Sequence, residues 1–97
     1  MLVQFLQVAE TELNDTIAYY NGEREGLGYE FAAEVGHTVD RVMAFPDAWP
    51  RFYGYSRRAR INRFPYGVLY QIRSEEILIT AVMHMHRDPV SWRERVK

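Results

Sequence analysis

The sequence has no cysteine, and only one of its twelve basic residues, Lys97, is a lysine. Without cysteine the chain can form neither a disulfide nor a thiolate metal site, which is the usage expected in a reducing cytoplasm. No apolar run approaches the roughly 20 residues of a transmembrane helix, and the first nine residues are too short and too polar for a signal peptide. These absences predict a cytoplasmic protein that does not act at a membrane.

Charge is distributed very unevenly along the chain. Residues 1–50 carry two arginines against nine acidic residues, a net charge of −7, whereas residues 51–97 carry nine arginines and one lysine against four acidic residues, a net charge of +6. Arginine is the side chain best suited to bidentate contacts with carboxylates and phosphates. The basic half therefore predicts an anionic partner, either an acidic polypeptide or a nucleic acid.

The first half has the apolar spacing of two helices. Between a short strand at residues 2–8 and a glycine-rich break at residues 26–28, apolar residues recur every three or four positions from Ala9. The same spacing resumes at Phe31 and ends at Pro46, because the residue before a proline is disfavoured in a helix. Two helices joined by so short a break predict an antiparallel hairpin.

The second half has the patterns of strands. Residues 77–83 are apolar except for Thr80, which is typical of a strand buried on both faces, and we expect it to be the central strand. The other expected features are a packed aromatic loop at residues 47–56, alternating strands at residues 57–64 and 68–73, and a short C-terminal helix that begins at Asp88 and Pro89. A chain of 97 residues has room for one core. We therefore predict one α+β domain over residues 1–97, ordered β-α-α-β-β-β, with an antiparallel sheet and the helical hairpin on one face.

Chemically versatile side chains cluster where the last strand ends. His84, His86 and Arg87 follow the apolar run directly. His84 and His86 share a face of a strand, but with His37 they lack the nearby carboxylates of a metal site, so we predict neither a metal nor a cofactor. His84 precedes Arg87 by three positions, so on a regular strand without a bulge at Met85 His84 should pack toward the helices or a loop and Arg87 should project toward the open face.

Three segments together resemble the ParE/RelE superfamily of toxins from bacterial toxin–antitoxin modules. They are residues 26–31 (GLGYEF) with the preceding Tyr19-Tyr20, residues 63–70 (RFPYGVLY) and residues 84–92 (HMHRDPVSW). The resemblance implies a cognate antitoxin whose acidic C-terminal segment wraps the toxin in a hetero-oligomer. The residues that we expect to bind the antitoxin or the target are Arg57, Arg58, Arg60, Arg63, His86, Arg87 and Trp92.

The superfamily has two activities, inhibition of DNA gyrase by ParE-like members and ribosome-dependent mRNA cleavage by RelE-like members. A ribonuclease would use Arg58, Arg60, His84 and Arg87. However, Gly67 stands where that branch has a further arginine, and no tyrosine follows Tyr70. The resemblance is therefore closer to ParE and implies a gyrase inhibitor that is not an enzyme. A RelE-like ribonuclease and a plain nucleic-acid-binding module are the alternatives.

Overall fold

A computed structural model describes residues 1–86 and residue 95, and it has the predicted α+β architecture with a helical hairpin. The elements are β1 (Leu2–Phe5), α1 (Gln7–Glu23), α2 (Leu27–Ala44), β2 (Arg51–Tyr53), β3 (Ser56–Arg60), β4 (Tyr66–Arg73) and β5 (Glu76–His84). The predicted C-terminal helix at Asp88 and Pro89 lies outside the described residues. Within the described part of the chain, neither α1 nor α2 is long and apolar enough to cross a membrane.

The five strands form one sheet in the order β1-β5-β4-β3-β2. The meander β3-β4-β5 is antiparallel, as predicted, but β1 pairs with β5 in parallel, with Val3 opposite Ile77. The sheet is therefore mixed, and the prediction of an antiparallel sheet was wrong at this edge. Parallel neighbours require a long connection, and here the chain passes through α1 and α2 to β2 at the opposite edge of the sheet before β3, β4 and β5 return to β1.

Two further expectations about the strands are corrected. The middle strand is β4, and β5 lies between β4 and β1. The segment predicted as a loop contains a short strand, β2, which forms a hairpin with β3 through Gly54 at a φ of 54°. Three residues are too few for alternation to reveal a strand in the sequence.

An extra residue in β5 sets the direction of the side chains at its end. Leu69 lies opposite Ala81 and Tyr70 opposite Ile79, so Thr80 has no residue opposite it on β4. Such a bulge reverses the alternation of the strand. As a result, odd-numbered residues before Thr80 and even-numbered residues after it face the helices.

The core lies between the helical hairpin and one face of the sheet. Its centre is an aromatic cluster in which Phe31 contacts Tyr20, Phe64 and Tyr66 at ring-centroid distances of 5.5, 5.1 and 5.2 Å. The helices approach closely at Gly28, where a Cβ atom would lie 2.1 Å from the carbonyl oxygen of Ile17. A smaller buried cluster of Leu69, Ala81 and Met83 lies on the opposite face of the sheet. We call this face, which α1 and α2 do not cover, the open face.

Candidate binding site

Two arginines of β3 point to the open face. Arg58 pairs with Leu69 and Arg60 with Gly67, while Ala59 between them is buried in the core under the helices. Both arginines are exposed, and neither has a carboxylate partner among the described residues. The guanidinium of Arg58 lies 5.2 Å from the centre of the Phe52 ring. The predicted position of these two arginines on one face is confirmed.

A third arginine shares this face but was missed in the sequence. Arg73 donates hydrogen bonds of 3.0 and 2.7 Å to the side-chain oxygen of Gln71, whose amide nitrogen donates to the hydroxyl of Ser56 across the strands. The period of two that starts at Gly67 reaches residue 73 and could have revealed it. Arg58, Arg60 and Arg73 are called the open-face arginines below.

Arg57 is bound on the side of the sheet that faces the helices. Its side chain is 16% exposed and lies 3.3 Å from the carboxylate of Asp47. It also donates hydrogen bonds to the backbone carbonyls of Asp47 and Trp49. The structure thus gives Arg57 a contact that holds the loop before β2, and its predicted role in binding stays a prediction.

Arg63 is also held by acidic residues, in this case from α2. It donates to Glu30 at 2.7 Å and lies 3.8 Å from Glu34. The hydrogen bond with Arg63 is the main reason that the pKa of Glu30 is lowered, and the same bond raises the pKa of Arg63. Arg63 has a φ of 73°, which is unfavourable for a residue with a side chain. Its ion pairs with α2 hold it in this conformation between β3 and β4. Its predicted role in partner binding is not tested.

His84 packs toward the helices, as predicted. Its ring lies 5.2 Å from that of Tyr66, which belongs to the helix-side core, and its Nδ1 accepts a hydrogen bond from the backbone N–H of His86. The structure therefore separates His84 from Arg58 and Arg60 by the thickness of the sheet. Among the described residues no three potential metal ligands cluster. Arg87 and Trp92, two further predicted site residues, lie outside the described residues.

The surroundings of Gly67 are crowded. A Cβ atom at this position would lie 2.7 Å from the sulfur of Met85 and 3.3 Å from Cγ of Arg58. Gly67 is the position at which the resemblance to ribonuclease toxins requires an arginine. A side chain there would have to displace Met85 from the open face.

A cleft of about 190 Å³ lies on the other side of the sheet, between α1 and the end of β5. We call it the α1–β5 cleft, and it is lined by Glu12, Asp15, Thr16, Tyr19, Tyr66, Val82, Met83 and His84. Sequence reasoning missed it because α1 and the end of β5 are far apart in the chain. The spacing of Glu12, Thr16 and Tyr19 by three or four residues was the available signal, since it places them on one face of α1.

Glu12 binds the backbone of β5 beyond the residues that pair with β1. Its carboxylate accepts the backbone N–H of Val82 at 3.1 Å and two hydrogen bonds from Arg95 at 2.9 and 3.0 Å. Arg95 in turn donates to the carbonyl of Thr80 at 2.9 Å. This bidentate pair therefore satisfies backbone groups that an adjacent strand would otherwise bind.

Comparison with known proteins identifies the family. The model of the family described as "ParE toxin of type II toxin-antitoxin system, parDE" matches residues 3–89. A solved structure titled "Chromosomal ParDE TA system from P. aeruginosa" has a TM-score of 0.78 and 13% sequence identity, and the match covers 89% of this chain and 97% of that chain. At this identity the similarity shows the fold alone, and no curated protein gives a significant sequence match. Because the family model spans most of the chain, the protein belongs to the ParE toxin family of type II toxin–antitoxin systems.

Proposed function

We propose that this ParE-family toxin inhibits DNA gyrase without catalysing a reaction, and that a cognate antitoxin neutralises it by binding the open-face arginines through an acidic segment. The single observation that carries the proposal is the uncovered pair Arg58 and Arg60, exposed on the open face with no carboxylate partner in the described part of the chain. Family membership supports the toxin class. The target and the antitoxin contact are our proposal.

Charge and geometry favour an acidic polypeptide on this face. The arginine fork matches a carboxylate in two parallel hydrogen bonds, and an extended acidic segment can present several carboxylates in a row. A single exposed ion pair contributes only about 0.2–1 kcal/mol, so affinity requires several pairs together with apolar contacts. Electrostatic attraction would also accelerate association and make its rate fall with added salt.

Two features favour a gyrase inhibitor over an mRNA ribonuclease. The position at which the ribonuclease resemblance requires an arginine is Gly67, and the adjacent space is occupied by Met85. His84, the one candidate general base among the described members of the ribonuclease set, lies on the opposite face from Arg58 and Arg60. A general base must lie within hydrogen-bonding reach of the proton that it abstracts, close to the groups that stabilise the developing charge.

The antitoxin contact is tested by co-expression with the adjacent gene, purification of the complex and measurement of its Kd. The double variant Arg58→Gln/Arg60→Gln should weaken binding at least tenfold and reduce its salt dependence. The matched control is Arg24→Gln, which removes an exposed arginine that pairs with Glu30 on the helical side. Equal affinity of the double variant and the control, or failure to form any complex, would contradict the proposed contact.

The target is tested by inducing the toxin alone and assaying the purified protein. Inhibition of gyrase should stop growth with filamentation and a DNA-damage response while translation initially continues, and purified toxin should inhibit supercoiling by gyrase. An early arrest of translation with mRNA cuts at ribosomal A sites would support the ribonuclease alternative instead. Tight, strongly salt-dependent binding to generic DNA or RNA without either effect would indicate a plain nucleic-acid-binding protein.

A further inference from the structure

The α1–β5 cleft has a charge opposite to that of the open face. Of its two carboxylates, Glu12 is fully engaged with Arg95 and the backbone N–H of Val82. Asp15 is exposed and has no ion-pair partner among the described residues. As far as residues 1–86 and 95 are concerned, both carboxylate oxygens of Asp15 are available to a ligand.

The walls of the cleft also suit a cation. Tyr19 lines it from α1 and Tyr66 from β4, and the faces of aromatic rings attract cations. His84 also lines the cleft, and its Nδ1 accepts a hydrogen bond from the backbone N–H of His86. The cleft thus combines a carboxylate that has no ion-pair partner among residues 1–86 and 95, two tyrosine rings and an imidazole.

The size of the cleft limits what it can hold. Its volume of about 190 Å³ is smaller than the roughly 300–1,000 Å³ of sites that enclose small molecules and cofactors. A single side chain from another polypeptide is the ligand class that fits. Arginine is better suited than lysine because its planar guanidinium can stack on a tyrosine ring while it binds a carboxylate in a bidentate manner.

We infer that the α1–β5 cleft binds the guanidinium of an arginine from the partner chain, and, resting on the proposed function, that this partner is the antitoxin. Met83 and His84 are adjacent at the end of β5, yet Met83 belongs to the open-face cluster and His84 lines the cleft wall beside Tyr66. The open-face arginines and Asp15 carry charges of opposite sign, so a partner that binds both needs acidic residues for the arginines and an arginine for Asp15.

The first test uses the full-length, isotopically labelled toxin and a small probe. The probe is acetyl-Gly-Arg-Gly-amide, titrated while the NMR signals of Tyr19, Tyr66 and His84 are followed. We expect saturable shifts at these residues with the arginine probe and at least tenfold weaker binding of the same peptide with citrulline, the neutral isostere of arginine. Asp15→Asn should weaken binding of the arginine probe at least tenfold. Asp40 is an exposed acidic residue on α2 outside the cleft, and Asp40→Asn should change the affinity for the arginine probe by less than twofold.

Two results of this titration would overturn the inference. They are equal binding of the arginine and citrulline peptides, and shifts that do not include the residues of the cleft. The second test measures antitoxin affinity, which Asp15→Asn should lower at least tenfold and Asp40→Asn should not change. If Asp15→Asn bound the antitoxin as tightly as the unchanged protein, the inference would be overturned and the proposed function would stand. If no antitoxin complex formed at all, the proposed function would be overturned, and the peptide titration alone would show whether the cleft binds a guanidinium.

Discussion

The two faces of the sheet hold their arginines in different ways. On the helix-covered face, Arg57 is 16% exposed and is bound by Asp47 and the carbonyl of Trp49. On the open face the next residue, Arg58, is exposed, and its guanidinium lies over the ring of Phe52 without a carboxylate partner among the described residues. Adjacent residues of the same type thus have different surroundings because alternation along a strand sends them to opposite faces.

This contrast separates stability from binding. A guanidinium that satisfies backbone carbonyls lowers the free energy of the folded state, because unpaired buried acceptors are costly. An exposed guanidinium without a carboxylate contributes little to folding and is available to a partner. Substitutions on the helix-covered face should therefore change stability, and substitutions on the open face should change affinity.

The largest effect is expected from Phe31→Ala, at the centre of the helix-covered core. Phe31 is fully buried and contacts three aromatic rings. Its truncation should lower the free energy of unfolding by about 3–5 kcal/mol, measured by urea denaturation. Tyr29→Ala is the matched control, since Tyr29 on the same helix is 71% exposed and should change stability by less than about 0.5 kcal/mol. Similar losses from both variants would contradict the assignment of the buried face of α2.

A smaller loss of stability, roughly 3 kcal/mol, is expected from Gly28→Ala, where the two helices meet. The new Cβ atom would lie 2.1 Å from a backbone carbonyl, that of Ile17, which cannot move without separating the helices. Gly36→Ala on the same helix meets no atom within 4 Å and should stabilise the protein by about 0.5–1 kcal/mol through higher helix propensity. The pair of variants should therefore shift the thermal midpoint in opposite directions, and a shift in the same direction would contradict the close approach.

Stability should also fall at high pH through Tyr70, which lies under the helices. Burial raises the pKa of Tyr70 to about 12, whereas an exposed tyrosine titrates near pH 10. The protonated hydroxyl is favoured by folding, so its contribution is complete below pH 10 and is lost as the pH rises from 10 to 12, by on the order of 2 kcal/mol. Tyr70→Phe should lose about 1 kcal/mol at neutral pH, because its hydrogen bond to the carbonyl of Pro46 is removed. It should lack the additional loss above pH 10, and identical pH profiles of unfolding would exclude Tyr70 as the source.

Local sequence patterns predicted the elements and faces that depend on neighbouring residues. The helical spacing around Phe31 and the alternation of Arg58 with Ala59 follow from periods of three to four and of two. His84 faces the helices because the bulge at Thr80 reverses the alternation of β5, which a regular period of two does not indicate. The parallel pairing of β1 with β5 does not follow from a local period either, because it depends on which edge the crossover reaches. The sequence could predict that β1 is a strand but not which strand it pairs with.

The binding features that were missed are formed by segments far apart in the chain. Asp15 and His84 line one cleft although almost seventy positions separate them. Glu12 is likewise engaged by Arg95, whose contact no local pattern indicates. Arg57 could be assigned to a strand, but its partner Asp47 belongs to a loop whose path depends on tertiary packing. The period of a pattern predicts the face on which a side chain lies. The residue that it contacts on that face can be identified only from the three-dimensional structure.

The contrast between the two faces is tested most directly by Arg57→Gln and Arg58→Gln, which have the smallest expected effects on stability. Arg57→Gln removes the charged donor from Asp47 and from the carbonyl of Trp49, so it should lower the free energy of unfolding by about 1–2 kcal/mol. Because these contacts occupy its guanidinium, we expect, against the sequence prediction of a binding role for Arg57, that antitoxin affinity changes by less than about twofold at a temperature where both variants are folded. Arg58→Gln should change stability by less than about 0.5 kcal/mol because the side chain is exposed, while antitoxin affinity falls several-fold. If both variants lost stability and affinity in the same proportion, alternation along β3 would not separate the structural arginine from the binding arginine.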